Sequence, residues 1–216
     1  MINKSGADLE KIKEKIKNAA EACIEELVKK FRKRPYIFYT EHDIHCYLYH
    51  LIYKKLYENR LIKECRTEDG KETVILHEEY PPIYKEEERR SLGHFDIVIL
   101  NPANIKSVKS IYHHRNLCDC HERPAEPFIA IELALDCDTK HLIDDYSKLA
   151  KPKNEVEYGY ILHFMRDINV ETRQKKEKFS GLLNEVKRIR DDDGKVKIWY
   201  LDNFKGEGIR KEIKWK

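Results

Sequence analysis

A chain of 216 residues with 41% hydrophobic and 38% charged residues is long enough for one domain with a full core and carries a heavily charged surface. Its formal net charge of +3 permits a nucleic-acid partner without demanding one, so local clusters must decide. No stretch approaches the length of a membrane span and residues 1–19 lack the apolar centre of a signal peptide, so no membrane partner is expected and the cytoplasm is the default address.

One domain over residues 1–216 is expected, opened by an N-terminal helical extension over about 1–34. Leu9, Ile12, Ile16, Ala19, Ala20, Cys23, Leu27 and Phe31 recur near helical spacing, which predicts a helix over 7–33 that Pro35 ends. A second helix is predicted from Thr40, where Thr40 and Asp43 form a Thr-x-x-Asp capping arrangement ahead of the stripe Ile44, Leu48, Leu51, Ile52 and Leu56. At 100° per residue Glu41 falls within the spread of that stripe and should point inward at the helix start. Complementing the positive helix N-terminus is its simplest role.

Residues 73–79 read as a strand, preceded by a turn at Asp69 and Gly70 and stopped by Pro81 and Pro82. Residues 95–100 and 128–135 are apolar on both faces, as in the centre of a sheet covered on each side. A helix over 140–150, a strand over 157–165, a charged helix over 170–190 and a strand over 195–201 complete the pattern, with Asp192, Asp193 and Gly194 turning into the last strand. The basic tail beyond Gly208 reads as a solvated edge or terminus. The expected fold class is α/β, a central mixed sheet of about five strands flanked by helices.

The six cysteines at 23, 46, 65, 118, 120 and 137 are scattered, and in a chain without an export signal free thiols are favoured over disulfides. His113, His114, Cys118, Cys120 and His121 crowd one segment and offer zinc chemistry. Their spacing is not the paired C-x-x-C of common zinc modules, so a polar loop is the favoured reading over zinc at His113, Cys118, Cys120 and His121.

The two apolar strands each carry one carboxylate near the middle, Asp96 in "FDIVIL" and Glu132 in "FIAIELAL". A buried carboxylate is costly unless it is neutralised, hydrogen-bonded or bound to a cation. Alternation puts Glu132 on a face with Ala130 and Ala134, whose small side chains leave room beside it. Carboxylates gathered from several elements stay ionised together only around a cation. Magnesium suits them because it accepts one or two protein carboxylates and keeps waters and phosphate oxygens in its shell, with manganese as the alternative. The chemistry suggested is phosphodiester hydrolysis.

The order of these features resembles the PD-(D/E)XK nuclease superfamily, whose fold is restriction-endonuclease-like. "TEHDIHCYLYHLIY" is similar to its first helix, "VILHEEYPP" to "GHFDIVIL" to its hairpin, "IAIELAL" to its Glu-x-Lys strand, and "LIDDYSKLAK" to the helix that follows. The resemblance covers residues 40–165 and implies a metal-dependent nuclease acting on DNA, with Asp96, Glu132 and Glu41 as metal ligands. The lysine position of Glu-x-Lys holds Ala134. Some members carry that lysine on the next helix, which implies Lys148 as the catalytic amine, although a helical wheel places Lys148 far round from the face defined by Leu142, Ile143, Tyr146, Leu149 and Ala150. Lys140 is the second candidate.

His94 shares a strand face with Asp96, and Arg89, Arg90 and Lys85 lie upstream as phosphate contacts, diluted by Glu86, Glu87 and Glu88. A homodimer is compatible with cutting two strands. The alternatives are a nuclease-like fold that binds nucleic acid or protein without chemistry, favoured by Ala134, and a zinc-organised interaction protein built around residues 113–121.

Overall fold

The computed structural model describes residues 6–62, 65–66, 72–80, 94–103, 126–137, 139–150, 154–166, 196–202 and 209–213. Helix α1 spans Gly6–Lys33 and α2 spans Glu41–Glu58, separated by a single 3₁₀ turn at Pro35–Ile37. The capping arrangement at α2 is formed in both directions. Asp43 N–H donates to Thr40 Oγ1 at 3.2 Å, and Thr40 N–H donates to Asp43 Oδ2 at 2.7 Å. Two orphan donors at the helix start are thereby satisfied.

Short strands β1 (Cys65–Arg66) and β2 (Glu72–Thr73) pair with each other. Strands β3 (Leu76–Tyr80), β4 (Phe95–Leu100), β5 (Pro127–Leu135), β6 (Tyr158–Met165), β7 (Val196–Asp202) and β8 (Ile209–Ile213) form one sheet in sequence order, and helix α3 (Thr139–Ala150) lies between β5 and β6 in the chain. β3, β4 and β5 are antiparallel, β5, β6 and β7 are parallel, and β8 returns antiparallel. The fold is α/β with a mixed sheet, as the sequence pattern predicts.

Two elements differ in detail. The strand expected over 73–79 is broken at Val74 and Ile75, because β2 pairs with β1 while β3 pairs with β4. Leu100 N–H donates to Ile75 O at 2.7 Å and fixes the break. Part of the tail beyond Gly208 forms strand β8, paired antiparallel with β7. The expected helix at 170–190 and the turns at 69–70, 81–82 and 192–194 lie outside the described residues.

Alternation along β6 separates the two helical layers. Tyr160 and Phe164 face α1, with the Tyr160 hydroxyl donating to Glu21 Oε1 at 2.8 Å and the Phe31 ring 4.7 Å from that of Phe164. Gly159, Ile161 and His163 point the other way, to the side on which Leu149 of α3 packs. One hydrophobic cluster includes Ile16, Ala20, Ile24, Leu27 and Phe31 of α1, the stripe of α2, both faces of β4 to β6, and Leu142 and Leu149 of α3. Among the described residues no helix is long and apolar enough to cross a membrane.

Candidate metal centre

The site begins where the β4/β5 ladder stops. Its pairs run Ile99↔Ile129, Val98↔Ala130 and Ile97↔Ile131, so one step further sets Asp96 opposite Glu132 on one face. The amides of β5 beyond that point turn to side chains. Leu133 N–H donates to Asp96 Oδ2 at 2.6 Å, and Leu135 N–H donates to Glu41 Oε2 at 3.2 Å. Two carboxylates thus occupy places that strand carbonyls fill further back, which satisfies the buried N–H groups. Glu41 reaches the strand from the first turn of α2, so it points inward as its wheel position implies.

Glu132 is 2% exposed and faces α3. Lys148 Nζ donates to Glu132 Oε2 at 2.7 Å and to His94 O at 2.8 Å, and lies 3.7 Å from Asp145 Oδ1. Asn154 Nδ2 donates to Lys148 O at 2.7 Å and holds the end of the helix. Lys148 is 6% exposed, which corrects the wheel argument against it. Leu142, Tyr146 and Leu149 pack on the sheet, while His141, Asp145 and Lys148, each one position earlier, form a second stripe that faces the end of β4 and β5. Averaging the apolar residues alone hides that stripe. Lys140 is exposed.

His94 contributes its carbonyl to Lys148. Its ring is half exposed, with Nδ1 3.9 Å from Glu79 Oε2. Arg89, Arg90 and Lys85 lie outside the described residues, as do His113, His114, Cys118, Cys120 and His121. Two residues outside the sequence expectations belong to the same site: Asp145, which is 4% exposed, and His45, which is buried with Nε2 2.7 Å from Asp96 O. The spacing of Asp145 three residues before Lys148 was the available signal, because i and i+3 share a helix face.

Burial pushes the Asp96 carboxyl up to about 6, against the opposing pull of the Leu133 N–H and the Lys148 charge. Burial also raises Glu132 well above the ordinary carboxylate range; Lys148 opposes the shift, while Asp96 and Asp145 add to it. Asp145 is likewise raised by burial to about 6. For Lys148 burial is the largest influence and works downward, but the charge and hydrogen bond of Glu132 together with the charges of Asp145 and Asp96 outweigh it, and the ammonium is held above its usual value. One ammonium therefore serves several carboxylates that resist ionising together.

Glu132 Oε1 is buried and has no hydrogen-bond partner among the described residues. An orphaned carboxylate oxygen next to Asp96 is suited to a hard divalent cation, which needs oxygen ligands and neutralises the excess charge. Among the described residues, the three-ligand group with atoms within 4.8 Å of one another is Glu41, Cys137 and His141. Glu41, Asp96 and Glu132 are not drawn to that spacing. No family model, no curated protein and no solved structure matches the chain.

Proposed function

We propose that the chain is a metal-dependent nuclease that hydrolyses DNA phosphodiester bonds, using magnesium with manganese as a substitute. The observation that carries the reading is the seating of Lys148 Nζ 2.7 Å from Glu132, next to Asp96 across the strands. It puts an amine at the carboxylate pair although Ala134 occupies the lysine place of the Glu-x-Lys pattern. The order of helix, antiparallel hairpin, central strand, helix and parallel strand also agrees with the PD-(D/E)XK resemblance.

Asp96 and Glu132 would hold the cation, with Glu41 as the auxiliary acid from α2. When bound, magnesium supplies Lewis acidity toward a phosphoryl oxygen and makes a bound water more acidic. Lys148 is fixed on one side by Glu132 and on another by His94 O, so its ammonium is oriented before substrate arrives. Such a preset charge positions the attacking water and stabilises charge that develops on the phosphate. Asp96 is held by Leu133 N–H through Oδ2, which fixes the carboxylate without using all of its lone pairs.

A second reading is a nuclease-like module that binds nucleic acid or protein without cleaving. Its support is that Lys148 is already engaged by Glu132 and His94 O, as a purely structural buried pair would be. Cleavage of supercoiled and linear DNA, run with magnesium, manganese or chelator, separates the two. Metal-dependent nicking is expected, reduced by roughly 10²–10³-fold in both Asp96→Ala and Lys148→Met, comparable to removing one preorganised stabilising group. Undiminished cleavage by folded Asp96→Ala rejects the site, and no cleavage by the folded parent with either metal rejects the nuclease reading.

A further inference from the structure

We infer that Glu41, Cys137 and His141 form a second cation site, selective for a thiophilic divalent ion of the zinc class, where the start of α2, the end of β5 and the start of α3 meet. The donor set itself points away from magnesium. A thiolate and an imidazole are ligands that zinc and its softer neighbours prefer, whereas magnesium takes oxygen. All three ligand atoms lie within 4.8 Å of one another.

The spacing fits as well as the chemistry. Bonds of about 2.3 Å to sulfur and about 2.0 Å to oxygen at a tetrahedral angle place the two ligand atoms about 3.5 Å apart. Cys137 Sγ lies 3.6 Å from Glu41 Oε2, to which its thiol donates. A cation that displaces the thiol proton to solvent would sit between the same two atoms. The half-exposed imidazole of His141, with a ring nitrogen within 4.8 Å of both atoms, completes the set.

The surroundings hold the ligands in place. Leu135 N–H fixes Glu41, and Asp145 Oδ2 stands 3.6 Å from His141 Nε2. A carboxylate beside a ligating histidine orients the ring and strengthens it as a donor. Three protein ligands leave one tetrahedral position open, the arrangement of an accessible rather than a closed zinc site.

Glu41 is shared with the proposed magnesium centre, so zinc is expected to withdraw it and inhibit cleavage. That consequence rests on the nuclease reading, whereas the binding does not. Cobalt(II) added to the full chain after chelator treatment is the probe for binding. A thiolate-to-cobalt charge-transfer band, displaced by one equivalent of zinc, is expected in the parent and in the Cys118→Ser/Cys120→Ser double variant, and is expected to be absent in Cys137→Ser. His141→Ala, a substitution at a half-exposed position, should keep the fold and weaken zinc by roughly a hundredfold or more, since loss of even an outer-shell partner costs about 10–100-fold.

A band that survives Cys137→Ser but vanishes in Cys118→Ser/Cys120→Ser, or no band in the parent, overturns the assignment. In cleavage assays, zinc inhibition of the parent that His141→Ala relieves supports the shared use of Glu41. Equal inhibition of both proteins refutes it. A chain that binds cobalt through Cys137 yet cleaves nothing would retain this site and lose only the nuclease reading.

Discussion

Asp96 carries a pH dependence whose sign follows from its surroundings. Its carboxyl titrates near 6 in the folded chain, against about 3.9 when unfolded, so folding favours the protonated form. The stabilisation is complete below the unfolded value and is lost as pH rises through about 6. Two units correspond to about 3 kcal/mol. In chelator, the unfolding free energy of the parent relative to Asp96→Asn should therefore fall by about that amount between pH 4 and 7, measured by denaturant titration at each pH. A constant difference would show that the carboxyl is not desolvated. The same desolvation made Asp96 and Glu132 legible in the sequence, because a charge inside an apolar run is conspicuous without any knowledge of neighbours. Lys148 and Asp145 were not legible in that way. They sit among other charged residues on α3, and only the placement of the helix over the end of β5 shows that both are buried.

At the scale of elements, Gly159 decides how closely α3 approaches the sheet. A Cβ there would stand 3.1 Å from Val196 Cγ2 and 3.3 Å from both Cβ and Cδ1 of Leu149. The Leu149 Cβ is tied to the helix backbone, so the helix itself would have to yield. Gly159→Ala is expected to destabilise by about 1–3 kcal/mol, the usual cost of overpacking, and to reduce the cleavage proposed above by moving Lys148, the residue just before Leu149. Thermal unfolding beside the cleavage assay measures both effects; a stability loss with unchanged cleavage would detach the helix position from the site. The glycine gave no such signal in sequence, where it reads only as a weak point in a strand. The capping box of α2 was plain because Thr40 and Asp43 are local partners. The break at Val74 and Ile75 was hidden because it depends on which distant strand each half joins.

Across the whole molecule, apolar residues on both faces of β4 and β5 announced a sheet covered on two sides, but not which segment supplies each cover. Residues 1–34 have the pattern of a helical extension, yet α1 places Ile16, Ile24, Leu27 and Phe31 fully inside the common core. Polar ties reinforce the docking: Glu21 accepts from Tyr160 and from Lys197, and Lys13 donates to Glu157 at 2.8 Å. Burying each large apolar side chain contributes about 1.5–3 kcal/mol, so these four residues alone represent about 6–12 kcal/mol. That range matches the whole net stability of an ordinary domain, about 5–15 kcal/mol. A chain starting at residue 34 would also expose Phe164 and Tyr160 on the centre of the sheet, an apolar surface of the kind that drives aggregation. The truncated protein is expected to lose its cooperative thermal transition. If it instead unfolds cooperatively near the parental temperature, α1 is dispensable and the sheet must be stabilised through its other face and α2 alone.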